Sequence, residues 1–279
     1  IEKNEKICIY ADYDADGVTS SVVMREAIQI LGGRVAVYIP QKDTEGHGLN
    51  TRALDFFTKQ GARLIMTLDC GMMNHEEIDE ANMLGLDAII IDHHHVPEVL
   101  PSAYAIINPK LHGETYPFRD LCGAGTAFKV AQALFRRFIP DHEDQAKWLL
   151  DIVATGTVAD VMPLVGENRV LVTYGLIVLS RTKRVGFQEM FRVGRMPFSL
   201  EKKPSARDIA FQIAPRINAA SRMAHAMLAH DLLMESDADR ANKLALELED
   251  HNNARRKLST EMVEQVSALV ESEYADKKF

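Results

Sequence analysis

The sequence predicts an α/β protein: a doubly wound, mostly parallel, Rossmann-like sheet, then a helical subdomain, then a long C-terminal connecting helix. Three observations predict it. Short runs rich in Val, Ile and Leu alternate with helical stretches over roughly the first third of the chain. Those runs show no clear polar alternation, as expected of parallel strands covered on both faces. From Cys122 onward the pattern turns helical, ending in a charged amphipathic stretch from Asp237 to Glu273.

Lys6–Ala11 reads as the first strand, and Val18–Leu31 as a helix stopped by Gly32-Gly33. Arg34–Ile39 is a strand, Asn50–Gln60 a helix closed by Gly61, and Arg63–Leu68 a strand. Asn74–Leu84 is a helix closed by Gly85, and Asp87–Ile91 a strand. Such repetition with right-handed crossovers gives an open sheet whose ligands bind beyond the carboxyl ends of the strands. Further helices are predicted over Ala124–Phe138, Gln145–Ala159, Glu167–Ser180, Ala206–Ile213 and Ile217–Leu233. Residues 181–204, with two glycines and two prolines, read as a basic loop. The expected organisation is one domain over 1–235, its α/β part about 1–120 and its helical part about 121–235. Residues 236–279 would be a connecting helix toward a C-terminal domain outside this chain.

The 279 residues allow a substantial core, and no apolar run reaches the roughly 20 residues that cross a bilayer. Cys8, Cys70 and Cys122 are too few and too scattered for a disulfide framework or a zinc knuckle, and a cytoplasmic protein is expected. A net charge of −8 excludes a general basic coat for nucleic acid. The charge is uneven, however. Residues 1–120 hold 10 Lys/Arg against 19 Asp/Glu, whereas 181–222 hold 10 against 3. An acidic part and a basic part in one chain suit a polyanionic substrate, although a basic stretch alone is equally a solvated surface.

The chemistry concentrates at the predicted strand ends. Asp12, Asp14 and Asp16 follow the first strand, Asp69-Cys70-Gly71 the third, and Asp92-His93-His94-His95 the fourth. Carboxylates this close repel unless cations neutralise them, and hard divalent ions take oxygen and imidazole ligands. Asp12-x-Asp14-x-Asp16-Gly17 also matches half of an EF-hand loop. Position twelve is Val23 rather than Glu, and a strand rather than a helix precedes it. A metal site, with two ions, is the expectation. Asp160 alone reads as a helix-end residue, and Gly46-His47-Gly48 after Lys42 as a flexible turn with a cation nearby. Pro215-Arg216-Ile217-Asn218-Ala219-Ala220-Ser221-Arg222 reads equally as an anion-favouring helix start or a solvated helix end.

Together these motifs resemble the DHH phosphoesterase superfamily, and within it the RecJ single-strand-specific exonucleases. DYDADG at 12–17, DCG at 69–71, DHH at 92–94 and the aspartate of TVADVMPL at 157–164 carry the superfamily resemblance. GENR at 166–169 and PRINAASRM at 215–223 carry the RecJ resemblance. It implies Asp14, Asp16, Asp69, His93 and Asp160 as ligands of two Mn²⁺ or Mg²⁺ ions, with Asp69 bridging and His94 near the scissile phosphate. It implies that Lys42, His47, Arg216, Asn218 and Arg222 line the path of the strand. Tyr10 stands where some members carry His, so Asp12 is expected to complete that ion's shell. Lys42 replaces the usual Arg, His47 a common Tyr, and Ser221 the usual Gly.

The activity implied is 5′-to-3′ removal of mononucleotides from single-stranded DNA, in repair and recombination, by a monomer. A single-strand-binding protein and a helicase are the partners expected. With 7% aromatic residues for stacking, backbone contacts should dominate. The rivals are an oligoribonuclease or cyclic-dinucleotide phosphodiesterase of the same superfamily, and a non-catalytic replication scaffold.

Overall fold

Lys6–Ala11 forms β1, and every residue after Lys6 is buried, as its unbroken apolar run requires. The computed structural model describes residues 1–199 and 201–273; the last six positions of the expected connecting helix, 274–279, lie outside the described residues. After β1 come α1 (Ala15–Ile30), β2 (Arg34–Tyr38), α2 (Lys42–Glu45), α3 (Thr51–Lys59) and β3 (Ala62–Leu68). Next are α4 (His75–Met83), β4 (Asp87–Ile91), β5 (Ala105–Ile107) and α5 (Gly123–Phe138). The helical part continues with a 3₁₀ stretch (Pro140–Leu149), α6 (Leu150–Ala159), α7 (Gly166–Leu179) and α8 (Val185–Val193). It closes with α9 (Ala206–Asp208), a π-turn (Ile209–Ile213), α10 (Ala214–Met223), α11 (Met227–Met234) and α12 (Ala238–Glu273).

Among the described residues the five strands are all parallel, in the order β2-β1-β3-β4-β5. Successive residues of β1 point to opposite faces: Ile7, Ile9 and Ala11 join a large core with α1, α5 and α6, while Cys8 and Tyr10 join a smaller one with α3 and α4. The strand order reverses between β1 and β3, so their carboxyl ends flank the switch point at which such sheets bind ligands. All three cysteines are free and buried. Among the described residues no helix is long and apolar enough to cross a membrane.

Helix α1 is buried continuously from Ala15 to Met24, so it runs through the molecule rather than along its surface. Two polar ties fix it to the helical part. His230 of α11 is fully buried, its Nδ1 2.8 Å from Ser21 Oγ and its Nε2 2.8 Å from the Arg25 guanidinium. A guanidinium only donates, so Nε2 accepts, Nδ1–H donates to Ser21, and Ser21 donates to the Val18 carbonyl at 2.6 Å. Burial, with Arg25 adding to it, drives His230 down to about 3, consistent with a neutral ring. The second tie is Arg184. It donates to Glu26 of α1 at 2.8 Å and to the Leu233 carbonyl at 3.2 Å, and lies 3.6 Å from Asp151 of α6.

The structure differs from the sequence reading at several breaks. Residues 181–204 are not all loop, because α8 buries Gly186, Phe187, Met190 and Phe191. The predicted helix over Gln145–Ala159 is 3₁₀ up to Leu149. Ile217–Leu233 is two helices, parted at Ala224 (φ −150°, ψ −111°), with the His225 ring accepting the Met227 N–H at 3.2 Å. The π-turn precedes Pro215, whose ring cannot donate and crowds the carbonyl four residues back. Both α2 and β5 lie where no element was predicted, being too short to show a period. The first part of α12 packs on the body through buried Ala241, Ala245, Leu248 and Asn252, whereas Leu258, Met262, Val266 and Leu269 are exposed.

Because Arg184 links α1, α6 and α11 through Glu26, Asp151 and the Leu233 carbonyl, Arg184→Ala is expected to cost about 3–5 kcal/mol by leaving the buried Asp151 charge without its cation. Arg184→Lys should recover only part of this, since a point charge cannot span the same partners. Urea denaturation of the three proteins measures both effects.

Candidate metal centre and comparison with known proteins

The parallel ladder continues one residue beyond the strands. Asp12 N–H donates to the Leu68 carbonyl at 3.2 Å, Asp69 N–H to Ile91 at 3.0 Å, and Asp92 N–H to Ile107 at 3.0 Å. This register sets three aspartates in a row at the switch-point edge. Asp69 leaves its strand with φ +60°, a left-handed turn uncommon outside glycine. Asp14 caps α1, its Oδ1 accepting the N–H groups of Asp16 and Gly17 at 2.8 and 3.0 Å.

Asp16, 1% exposed, is seated by the start of another helix: Oδ2 accepts Gly123 N–H at 2.6 Å and Oδ1 accepts Ala124 N–H at 3.0 Å. The positive end of α5 thus supports a buried anion. The close approach requires glycine. A Cβ on Gly123 would lie 2.7 Å from Asp69 Cβ, and one on Gly156 of α6 2.8 Å from Asp16 Oδ1. Helix α6 ends at Ala159 and delivers Asp160 as its C-cap.

His93 Nε2 lies 3.0 Å from Asp69 Oδ1, 3.6 Å from Asp160 Oδ2 and 3.8 Å from Asp16 Oδ2. Three overlapping sets offer ligand atoms within 4.8 Å of one another: Asp16–His93–Asp160, Asp69–His93–His94 and Asp12–Asp14–Asp69. Asp69 Oδ1 and both ring nitrogens of His93 are buried and have no hydrogen-bond partner among the described residues. Buried polar atoms without partners are expensive. A hard divalent cation fits this donor set, mostly carboxylate with some imidazole and no thiolate.

Asp92 has a different task. Its Oδ1 accepts the backbone N–H groups of His93 and His94 and lies 2.8 Å from His94 Nδ1, while Oδ2 accepts Met72 N–H. That fixes the His94 ring with Nε2 free of Asp92. Tyr10 is turned into the smaller core and donates to the Gly48 carbonyl, so it takes no part in the cluster. His47 Nδ1 lies 3.0 Å from Asp12 Oδ1, and Lys42 Nζ sits 5.6 Å from the Tyr13 ring centre, beside the same mouth.

Asn218 is also brought in, its Oδ1 accepting Ala15 N–H at 2.9 Å. Arg222, four residues on along α10, is exposed. Arg216 is otherwise engaged. It is buried, donates to both Glu249 oxygens (2.6 and 3.1 Å), and caps the Gln212 carbonyl at 2.7 Å. Two residues escaped the sequence reading. The Lys110 charge adds a small downward pull on His93 and Asp160, and buried Asn108 donates to the His94 carbonyl at 3.1 Å. Both follow β5, so recognising a fifth strand would have flagged them by the carboxyl-end rule.

The electrostatics follow from burial. Burial pushes Asp16 up to about 6, with His93 opposing and Asp160 adding. Burial, then repulsion from Asp14, brings Asp160 to about 6, and burial, with Asp16 adding, raises Asp69 well above the ordinary carboxylate range. Burial lowers His93, whereas the hydrogen bond to Asp92 raises His94 and that to Asp12 raises His47.

An open parallel sheet with a carboxylate–imidazole cluster at its switch point defines an α/β protein built to hold divalent cations. The chain belongs to the DHH family: the family model for the DHH family, N-terminal domain, matches residues 6–157. It is 41% identical over 276 residues to the single-stranded-DNA-specific exonuclease RecJ of Bacillus subtilis (strain 168), covering 99% of this chain and 34% of that protein. Against RecJ of Escherichia coli (strain K12) it is 34% identical over 275 residues, covering 95% of this chain and 47% of that protein. The chain thus spans between a third and a half of the length of these curated relatives. A crystal structure of exonuclease RecJ bound to manganese superposes with a TM-score of 0.84 at 33% identity, covering 95% of this chain and 66% of that one. RecJ from Thermus thermophilus in complex with Mn²⁺ gives 0.80 at 32%, covering 95% and 37%.

Acids held above their unfolded values stabilise the fold only while protonated. Their contribution is full below the unfolded value of about 4 and is lost as pH rises through the folded value. With chelator present, Asp69→Asn should therefore stabilise the chain at pH 7.5 by about 1–3 kcal/mol, the gain vanishing near pH 4. Urea midpoints across that range test it; a pH-independent gain would mean that relief of carboxylate repulsion is not the cause.

Proposed function

We propose that this chain is the catalytic part of a metal-dependent phosphodiesterase of the RecJ type. It would remove 5′-mononucleotides from single-stranded DNA in the 5′-to-3′ direction, in DNA repair and recombination. The observation that carries the reading is the convergence of Asp12, Asp14, Asp16, Asp69, His93, His94 and Asp160 in overlapping ligand sets beside orphaned buried polar atoms. The resemblance to RecJ over nearly the whole chain supports the substrate class.

Two Mn²⁺ or Mg²⁺ ions are the cofactors proposed; the choice of metal is supported by the RecJ structures bound to manganese or magnesium. Asp16, His93 and Asp160 would hold one and Asp12, Asp14 and Asp69 the other, with Asp69 also within reach of the histidines. When bound, such a pair supplies the charge that acidifies water and offsets charge developing on a phosphate.

The chain's own groups do the rest. The Gly123 and Ala124 N–H groups hold Asp16 in place, so the nest need not reorganise during turnover. Asp92 keeps His94 more basic than an ordinary imidazole and leaves its Nε2 to donate to a phosphate oxygen. Asn218, its oxygen engaged by Ala15, presents its amide N–H groups. Lys42, His47 and Arg222 add cations for the strand. Arg216, paired with Glu249, would position α10 against α12 and act on the strand through that helix.

Residues 1–235 form the proposed catalytic domain and 236–279 the connector, although the start of α12 packs on the same body. A monomer in the cytoplasm, working with a single-strand-binding protein and a helicase, completes the proposal.

Mn²⁺-dependent release of mononucleotides from a 5′-phosphorylated single strand is the test. Asp69→Ala should lower the rate about a thousandfold, which corresponds to roughly 4 kcal/mol of transition-state stabilisation. Strand affinity should fall as salt rises, independently of sequence. Preferential cutting of duplex, short RNA or a cyclic dinucleotide would overturn the substrate assignment.

A further inference from the structure

Beside the metal nest lies a feature that stability does not account for. Helix α6 closes with the double hydrogen bond of a Schellman motif: Met162 N–H to the Thr157 carbonyl at 3.3 Å, and Val161 N–H to Val158 at 3.2 Å. The residue at the left-handed position of that motif is Val161, with φ +56°. Glycine takes this conformation without strain, and a β-branched residue is a genuine outlier there. No packing compensates, because Val161 is 87% exposed. The valine immediately follows Asp160.

The segment after it is also unusual for a loop. Val161, Pro163, Leu164 and Val165 are all exposed, with Met162 half-buried between them. Connecting segments are ordinarily polar, and exposed apolar patches mark ligand surfaces. This one is held in shape. Asn168, fully buried, donates through Nδ2 to the Asp120 carbonyl at 2.6 Å and the Pro163 carbonyl at 3.1 Å. The GENR motif therefore fixes an apolar lip at the edge of the cluster that contains Asp160.

We propose that Val161 is a base-contacting residue: its side chain packs on the nucleobase of the terminal nucleotide while that nucleotide's phosphate sits in the carboxylate–imidazole nest. This rests on the nuclease reading above. A branched apolar group gains nothing from a phosphate, but it covers one face of any base, giving contact without sequence preference. Strain retained beside reacting groups belongs to sites that use it.

The test uses the full chain with Mn²⁺ and two 5′-phosphorylated oligothymidylates, one ordinary and one with an abasic first residue. Burial of a valine side chain against a base predicts that the unsubstituted protein cleaves the abasic strand about five- to tenfold more slowly. Val161→Gly and Val161→Asn, both at ease in the left-handed conformation, should lose a similar factor on the ordinary strand and little on the abasic one. Their melting temperature should hold or rise by about 2–4 °C as the strain is relieved. Either variant keeping full activity on the ordinary strand, losing equally on both strands, or melting lower would overturn the proposal. An unsubstituted protein inactive on both strands would instead remove the nuclease reading, and this inference with it.

Discussion

Repulsion among buried carboxylates is the constraint around which the molecule is arranged. Asp16 and Asp69 are almost fully buried and His93 is only 5% exposed, with Asp12 and Asp14 adjoining. Among the described residues no lysine or arginine is ion-paired to the cluster. An apolar core would expel such groups or keep them protonated. Here the backbone places them: N–H groups at the start of α5 donate to the Asp16 carboxylate, and the main chains of Asp12, Asp69 and Asp92 are fixed by donating to the carbonyls of Leu68, Ile91 and Ile107. The fold accepts an electrostatic cost in the cation-free state in return for a nest already shaped for cations.

The helical half serves the same end from the other side. Helix α6 brings Asp160 across to His93, and the approach is possible because Gly156 leaves room for Asp16. Helix α10 reaches the start of α1 through Asn218, and is itself anchored to α12 by the Arg216–Glu249 pair. Arg184 and His230 tie the far part of α1 to α8 and α11. The buried helix α1 thus links the carboxylate–imidazole cluster to elements two hundred residues distant in the chain.

Much of the α/β part was legible in the sequence. Strands β1 and β4 fall on Lys6–Ala11 and Asp87–Ile91 as read, and β2 and β3 agree to within one residue, because short apolar runs are local signals. The helical breaks were not legible. The parting at Ala224–Ala226 contains neither glycine nor proline, and its His225 cap depends on three-dimensional placement. The basic count over 181–222 was correct as a sum and misleading as a surface, since Arg184, Arg192 and Arg216 each have an acidic partner within the protein.

By itself the sequence determined the fold class and the set of groups destined for the strand ends, since periodicity and turn chemistry are written in neighbouring residues. Only tertiary structure decided how those groups divide their work. It assigned Asp92 to orient His94 rather than to face the nest, turned Tyr10 into the core, and engaged Arg216 with Glu249. It also placed the N–H groups of α5 beneath Asp16. The physical reason is that a side chain's role depends on which donors and charges lie within a few ångströms, and here those come from segments far apart in the chain.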